Sequence, residues 1–221
     1  MRQIRAARPV DLPGVARVLQ DAFQDKLRLV LGRNHAHAQS LLEAIYAGPV
    51  ARGYDGLLVA EEDGRVVGVL VIEPIYYTEE EHRALERQML QEMGVPRLLW
   101  AAFWFWLVGH TPAADEAYIG GLGVATDWRG LGIGGQLLAA AEDWARAHGR
   151  ARLTLWVAGN NAPALHLYEK MGFSTTRTQR SWLTRWALGV RRWHFMEKPL
   201  AESRALVEAL PPNPRKEQNA P

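Results

Sequence analysis

No cysteine occurs anywhere in the 221 residues. That absence excludes disulfides, cysteine-ligated zinc, iron–sulfur clusters and a thiol nucleophile on the protein itself. An excess of one sign of charge is also missing: 26 Lys and Arg stand against 24 Asp and Glu, a formal charge of +2. So small an imbalance does not mark a nucleic-acid binder. Long hydrophobic runs are absent too. The longest apolar stretch, Leu98 to Val108, falls well short of the ~20 residues that cross a bilayer, and the opening MRQIRAARPVDLPGV lacks the apolar core of a secretory signal. The expectation is a cytoplasmic protein with neither nucleic acid nor membrane as partner. What is present is an ordinary globular composition, 48% hydrophobic and 23% charged, sufficient for one core.

The pattern along the chain is that of alternating strands and helices. A short strand over Gln3 to Ala6 leads to a turn at Arg8-Pro9-Val10-Asp11, with Asp11 placed to cap a helix carrying Leu12, Val15, Val18, Leu19 and Phe23. A second helix through Leu41, Leu42, Ile45 and Tyr46 is expected to stop at Gly48-Pro49. Gly56 to Ala60 and Val66 to Ile72, joined through Asp63-Gly64, read as a β-hairpin. A helical insertion follows, charged over residues 79–93 and aromatic over 97–109, with Trp100, Phe103, Trp104, Phe105 and Trp106. Those rings are either buried packing surface or a wall over a pocket or partner, and periodicity does not decide between the two.

From Ala117 onward the signal sharpens. A strand from Tyr118 to Val124 runs into Thr126-Asp127-Trp128-Arg129 and then Gly130-Leu131-Gly132-Ile133-Gly134-Gly135. An amphipathic helix carrying Leu137, Leu138, Ala141, Trp144 and Ala145 comes next. Then come a strand over Leu153 to Ala158, a helix over Pro163 to Met171, a strand over Phe173 to Thr178 and, across a long loop, a last strand over Arg191 to Lys198. The stretch from Pro211 is polar and proline-rich, and disorder is expected there.

A strand, a loop of four glycines and a helix bring backbone N–H groups together at a helix N-terminus, where they favour a phosphate. Gly130-x-Gly132-x-x-Gly135 has the spelling of the dinucleotide fingerprint, which also requires an acid about 20 residues further on to hold a ribose. Arg150 to Val157 offers none, and no Lys-Ser/Thr of a P-loop follows Gly135. What fits is Arg129-x-x-Gly132-x-Gly134. It resembles the pyrophosphate signature of the GNAT acetyltransferase superfamily, Arg/Gln-x-x-Gly-x-Gly/Ala. Asn161-x-x-Ala164-x-x-x-Tyr168-x-x-x-Gly172-Phe173 is similar to that family's second motif.

The resemblance implies an α/β (α+β) fold: a mixed, largely antiparallel sheet flanked by helices, with the helical insertion (about 75–115) between the third and fourth strands. It implies one domain over 1–200 and a tail over 201–221. It further implies an N-acetyltransferase that moves an acetyl group from acetyl-CoA to a small-molecule or peptide amine by direct attack in a ternary complex. Leu122, Gly123 and Val124 would pair with the pantetheine arm, and Arg129, Gly130, Leu131, Gly132, Ile133, Gly134 and Gly135 would cradle the pyrophosphate. Tyr168 would protonate the departing thiolate. Glu116, or the adjacent Asp115 or a water chain, would serve as the base, since an amine of pKa near ~10 must lose a proton before attack. Asn161 caps its helix or touches the pantetheine. His35 and His37 read as solvated side chains and no metal is expected, while His110 is a further pocket candidate. The basic run Arg177, Arg180, Arg185, Arg191, Arg192 and Lys198 reads as a solvated hairpin or as a site for acidic groups. Homodimerisation stays open. The alternative function is an acyl-CoA-binding or partner-binding module on the same fold, without turnover.

Overall fold

The computed structural model describes residues 1–32, 37–108 and 110–200. Among these residues seven strands form one sheet: β1 (Gln3–Ala6), β2 (Leu57–Glu62), β3 (Arg65–Glu73), β4 (Glu116–Val124), β5 (Arg152–Ala158), β6 (Ser174–Arg180) and β7 (Arg192–Pro199). They lie in the order β1-β2-β3-β4-β5-β7-β6, and every pair is antiparallel except β4 with β5. The mixed, largely antiparallel sheet expected above is therefore present.

Helices cover both faces. On one, α1 (Leu12–Ala22) and α3 (Ala38–Ala51) pack Val15, Val18, Leu19, Tyr46 and Val50 on Leu57, Val59, Val69 and Val71. On the other, α6 (Ile133–Ala147) and α7 (Ala162–Lys170) close a larger core. Leu137, Leu138, Ala141 and Ala145 of α6 are fully buried against Leu70, Ile72, Leu153 and Met196, as their helical spacing requires. Alternation along β3 sends Val69 and Val71 to the first face and Leu70 and Ile72 to the second. Between β3 and β4 stand α4 (Glu79–Met93), capped by Thr78 with Glu81, and α5 (Val95–Val108).

Five features differ from the expectations. Asp11 does not cap α1 with its side chain. Its carboxylate accepts the Arg8 backbone N–H at 2.7 Å and the two arms of Arg5 at 2.6 and 2.9 Å, because the neighbouring strand offers a bidentate cation to a carboxylate only 8% exposed. Gly48-Pro49 does not stop α3, which continues to Ala51. Proline there forfeits one hydrogen bond in the last turn, while Pro49 and Val50 are buried. A helix, α2 (Gln24–Leu31), follows α1 directly. The long loop before the last strand is another short helix, α8 (Trp182–Leu188), capped by Ser181. The strand expected from Tyr118 begins at Glu116. His35, the side chains of Phe103, Trp104, Phe105 and Trp106, and the stretch from Pro211 lie outside the described residues. Trp100 is described, and its indole N–H donates to the Leu29 carbonyl at 3.2 Å.

Candidate active site

The parallel pair opens the site. β4 and β5 pair only where Glu116, Ala117 and Tyr118 face Arg152, Leu153 and Thr154. Beyond that point β4 follows β3 as far as Val124, while β5 follows β7 as far as Ala158. Among the described residues, one edge of β4, from Ile119 to Val124, is left without a strand partner. Such an edge can take an extended ligand as an added strand. Gly120 is the extra residue of a bulge here, since Val71 pairs with Gly121 and Ile72 with Ile119. Leu122, Gly123 and Val124 all lie on the free edge, and the Arg129 side chain reaches back to the Val124 carbonyl at 3.0 Å.

The glycine-rich turn closes the end of that edge. Gly130 and Gly132 both have positive φ, and Gly132, at φ 76°, is the residue from which α6 starts. Leu131 is exposed, and its carbonyl accepts from Arg2 at 3.3 Å. The backbone N–H groups of residues 130–135 donate to no described residue, and the first bond of the helix runs from Gln136 to the Gly132 carbonyl at 3.2 Å. Six successive unpaired donors at a helix N-terminus, with its dipole aimed outward, fit a pyrophosphate. Arg129 adds a cation, half-exposed and 3.4 Å from Asp21.

Tyr168 stands on α7, with its ring buried in the main core and 5.7 Å from the Phe173 ring. Its hydroxyl has no hydrogen-bond partner among the described residues, and the residue as a whole is 8% exposed. Burial pushes its pKa up to about 12, which keeps the phenol protonated throughout the neutral range. The Asn161 side chain caps α7, accepting the Ala164 N–H at 3.3 Å.

Glu116 is 3% exposed at the head of β4. It contacts His110 Nε2 at 2.7 Å, the Ala113 N–H at 3.2 Å, the Thr154 hydroxyl, and Arg152 at 3.8 Å. Burial opposes its ionisation, but the bonds from Thr154, Ala113 and His110 outweigh that and hold its carboxyl below the usual range. With Glu116 ionised, the hydrogen of that bond is carried by His110 Nε2, and Nδ1 is the ring nitrogen left to face the site. The His110 ring packs 4.6 Å from Tyr118 and 5.2 Å from Phe195. Because the Glu116 pKa is depressed on folding, its stabilisation is present above the ordinary carboxylate value and lost as pH falls through the folded one. Glu116→Gln is therefore expected to lower stability at pH 7 and to flatten the acid side of a melting-temperature profile. A profile parallel to that of the wild type would contradict this.

The basic run divides. Arg177 lies over the Trp156 and Phe195 rings, and Lys198 pairs with Glu142. Arg180, Arg191 and Arg192 line a cavity of about 300 Å³ beside Gly159 and Asn160. Sequence reasoning passed over Glu73, which ends β3 on the α1/α3 face. Its only signal was an acid closing the apolar run Val66 to Ile72.

The description "Acetyltransferase (GNAT) family" matches residues 19–173. Mycothiol acetyltransferase from Corynebacterium aurimucosum is 39% identical over 80 residues, 35% of this chain and 26% of that protein. Streptothricin acetyltransferase from Streptomyces lavendulae is 49% identical over 51 residues, 23% of this chain and 27% of that one. The chain thus spans about a quarter of the length of these curated relatives. Among solved structures, the ribosomal-protein-S18-alanine N-acetyltransferase from Escherichia coli aligns with TM-score 0.55 and 20% identity over 90% of this chain and 94% of its own. A Salmonella typhimurium structure holding its cofactor acetyl-CoA aligns with TM-score 0.55 and 17% identity over the same shares. These neighbours share the fold, and the sequence match runs from α1 through the strand edge and the glycine turn to Phe173: the chain belongs to the GNAT acetyltransferase family.

Proposed function

We propose that the chain is an acetyl-CoA-dependent N-acetyltransferase acting on a primary amine of a small molecule or peptide. The observation that carries this is the continuity of the unpaired β4 edge with the unpaired N–H groups of residues 130–135. Together they match an extended pantetheine arm that ends in a pyrophosphate. The relatives named above as acetyltransferases of mycothiol and streptothricin, and the fold neighbour that acts on ribosomal-protein alanine, support an amine acceptor.

Bound acetyl-CoA supplies an acetyl group activated as a thioester. The chain's own residues then manage the protons. Tyr168 gives its phenolic proton to the sulfur as the carbon–sulfur bond breaks, and it regains one from solvent. His110 accepts the proton that the ammonium sheds before its nitrogen attacks the acetyl carbon and passes it to solvent; the second N–H proton leaves the adduct by the same route as the thiolate is protonated. Glu116 acts through His110: it orients the ring and stabilises the imidazolium, as a buried carboxylate does for a catalytic histidine. Asn161 holds the start of α7, and so the position of Tyr168, and it borders the pantetheine.

Acetyl-CoA and CoA are expected to raise the melting temperature, by about 2.7 kcal/mol of added stability at a hundredfold excess over Kd. NADH and ATP should do so far less, for want of a ribose-binding acid or a P-loop lysine. Equal stabilisation by NADH would return the site to a dinucleotide. Release of free CoA thiol with a panel of amines separates an enzyme from a binding module, which would release none.

A further inference from the structure

Glu73 sits opposite Tyr118 in the β3–β4 register. Its carboxylate accepts no hydrogen bond and forms no ion pair with any described residue. It lies over Gly120, where an added Cβ would come within 2.7 Å of its carboxyl carbon. Gly120 is exposed and is the bulged residue of β4, so the carboxylate stands at an open point of the sheet. That point lies just before Leu122, where the edge assigned to the pantetheine arm begins.

One tyrosine, Tyr118, is the partner of Glu73 across the strands. Tyr46 on α3, Tyr54 just after that helix, Tyr77 ahead of α4 and Tyr118 on β4 all lie within electrostatic reach of Glu73, and burial together with its charge keeps their hydroxyls protonated. Among the described residues, His110 is the one cation-capable side chain that faces it. The Tyr54 hydroxyl is already spent on the Ile72 carbonyl. A half-buried carboxylate without a partner is costly to a fold. The same surroundings suit one class of ligand: an ammonium ion, paired by the desolvated carboxylate.

We propose that Glu73, with Tyr118 and its neighbouring tyrosines, is the subsite that seats the protonated amine of the acceptor. The acceptor is then a cationic primary amine with no carboxylate beside it: alkylamines, amino amides and peptide N-termini are admitted, whereas free α-amino acids meet the like charge of Glu73. The chemistry rests on the N-acetyltransferase reading, while the cation site itself rests on Glu73 and Gly120. The two faces of the sheet fit this division. Tyr168 stands on the α6/α7 side and Glu73 on the α1/α3 side, with Tyr118 within electrostatic reach of both. The amine thus approaches from the face opposite the proton donor.

Burial raises the Glu73 carboxyl above its ordinary value. Folding therefore favours its protonated form, and the associated stability is lost as pH rises through the folded value. Glu73→Gln removes that cost, so its melting temperature at pH 7 should equal or exceed that of the wild type.

The test uses the full chain, with butylammonium as probe and 1-butanol as neutral control, followed by ligand-observed NMR with and without CoA. Butylammonium should bind and butanol should not. Glu73→Gln should weaken butylammonium by about tenfold or more. In turnover assays the same variant should raise the KM of the amine by a similar factor and leave the KM of acetyl-CoA within about twofold. Butylammonium binding that is absent in the wild type, or equal in wild type and a folded Glu73→Gln, overturns the assignment. Failure of the transferase reading looks different: acetyl-CoA neither binds nor turns over, yet butylammonium still depends on Glu73. If Glu73→Gln does not fold, Gly120→Ala is the second route, since its Cβ displaces the carboxylate and should weaken butylammonium comparably.

Discussion

Tyr168→Phe is expected to lower kcat by about 10²–10⁴, the range of general acid catalysis, with little change in the KM for acetyl-CoA. The expelled group is a thiolate, whose conjugate acid has a pKa near ~8.5 if it resembles cysteine. A donor at the sulfur neutralises that charge as it forms. Tyr168 suits the task because burial has pushed its pKa up to about 12 and its hydroxyl is not committed to any described residue. The competing account is packing, for the ring is 8% exposed and rests on Phe173. Phenylalanine keeps that packing, so a packing role predicts an unchanged kcat and an unchanged melting curve. Steady-state kinetics on one folded variant separate the two accounts.

Gly132→Val is expected to weaken CoA by ~1–3 kcal/mol, as phosphate oxygens lose backbone donors, or roughly 5- to 150-fold at ~1.4 kcal/mol per decade. The reason is conformational rather than steric. A Cβ at Gly132 would meet nothing within 4 Å, but the residue sits at φ 76°, a left-handed region that a β-branched side chain resists. The turn must change shape, and the N–H groups of residues 130–135 turn with it. Gly134→Val should behave differently. There a Cβ would lie 2.9 Å from Leu167 Cδ2 on α7, the helix that carries Tyr168. That variant should lose kcat as well as affinity. Calorimetry that found CoA affinity intact in a folded Gly132→Val would place the phosphates elsewhere.

What could be read from the residues alone was whatever depends on neighbours in sequence. The β2–β3 hairpin followed from apolar runs about Asp63-Gly64, and α6 from the spacing of Leu137, Leu138, Ala141 and Ala145. The glycine turn was legible for the same reason: a strand, an αL glycine and a helix N-terminus are all local. Partners chosen across the fold were not legible. Asp11 could be read as a cap because a cap is local, but Arg5 claims it once β2 pairs with β1 and brings Glu61 to the other side of the same guanidinium. Gly48-Pro49 could be read as a stop, yet burial of Pro49 and Val50 carries α3 through it. Glu116 could be read only as a candidate base, a carboxylate with no known surroundings. It became a buried one only when β5 delivered Thr154 and Arg152 and the preceding loop delivered His110. Glu73 had no motif at all, and its setting is assembled from α3, the two loops that flank the helices and the bulge in β4. The sequence by itself determined the backbone cradle for a phosphate, because hydrogen-bond donors on consecutive residues need no distant partner. Only the tertiary structure decided which carboxylate is locked and which is free, because desolvation and pairing are set by groups that lie far apart along the chain and meet only when the sheet has formed.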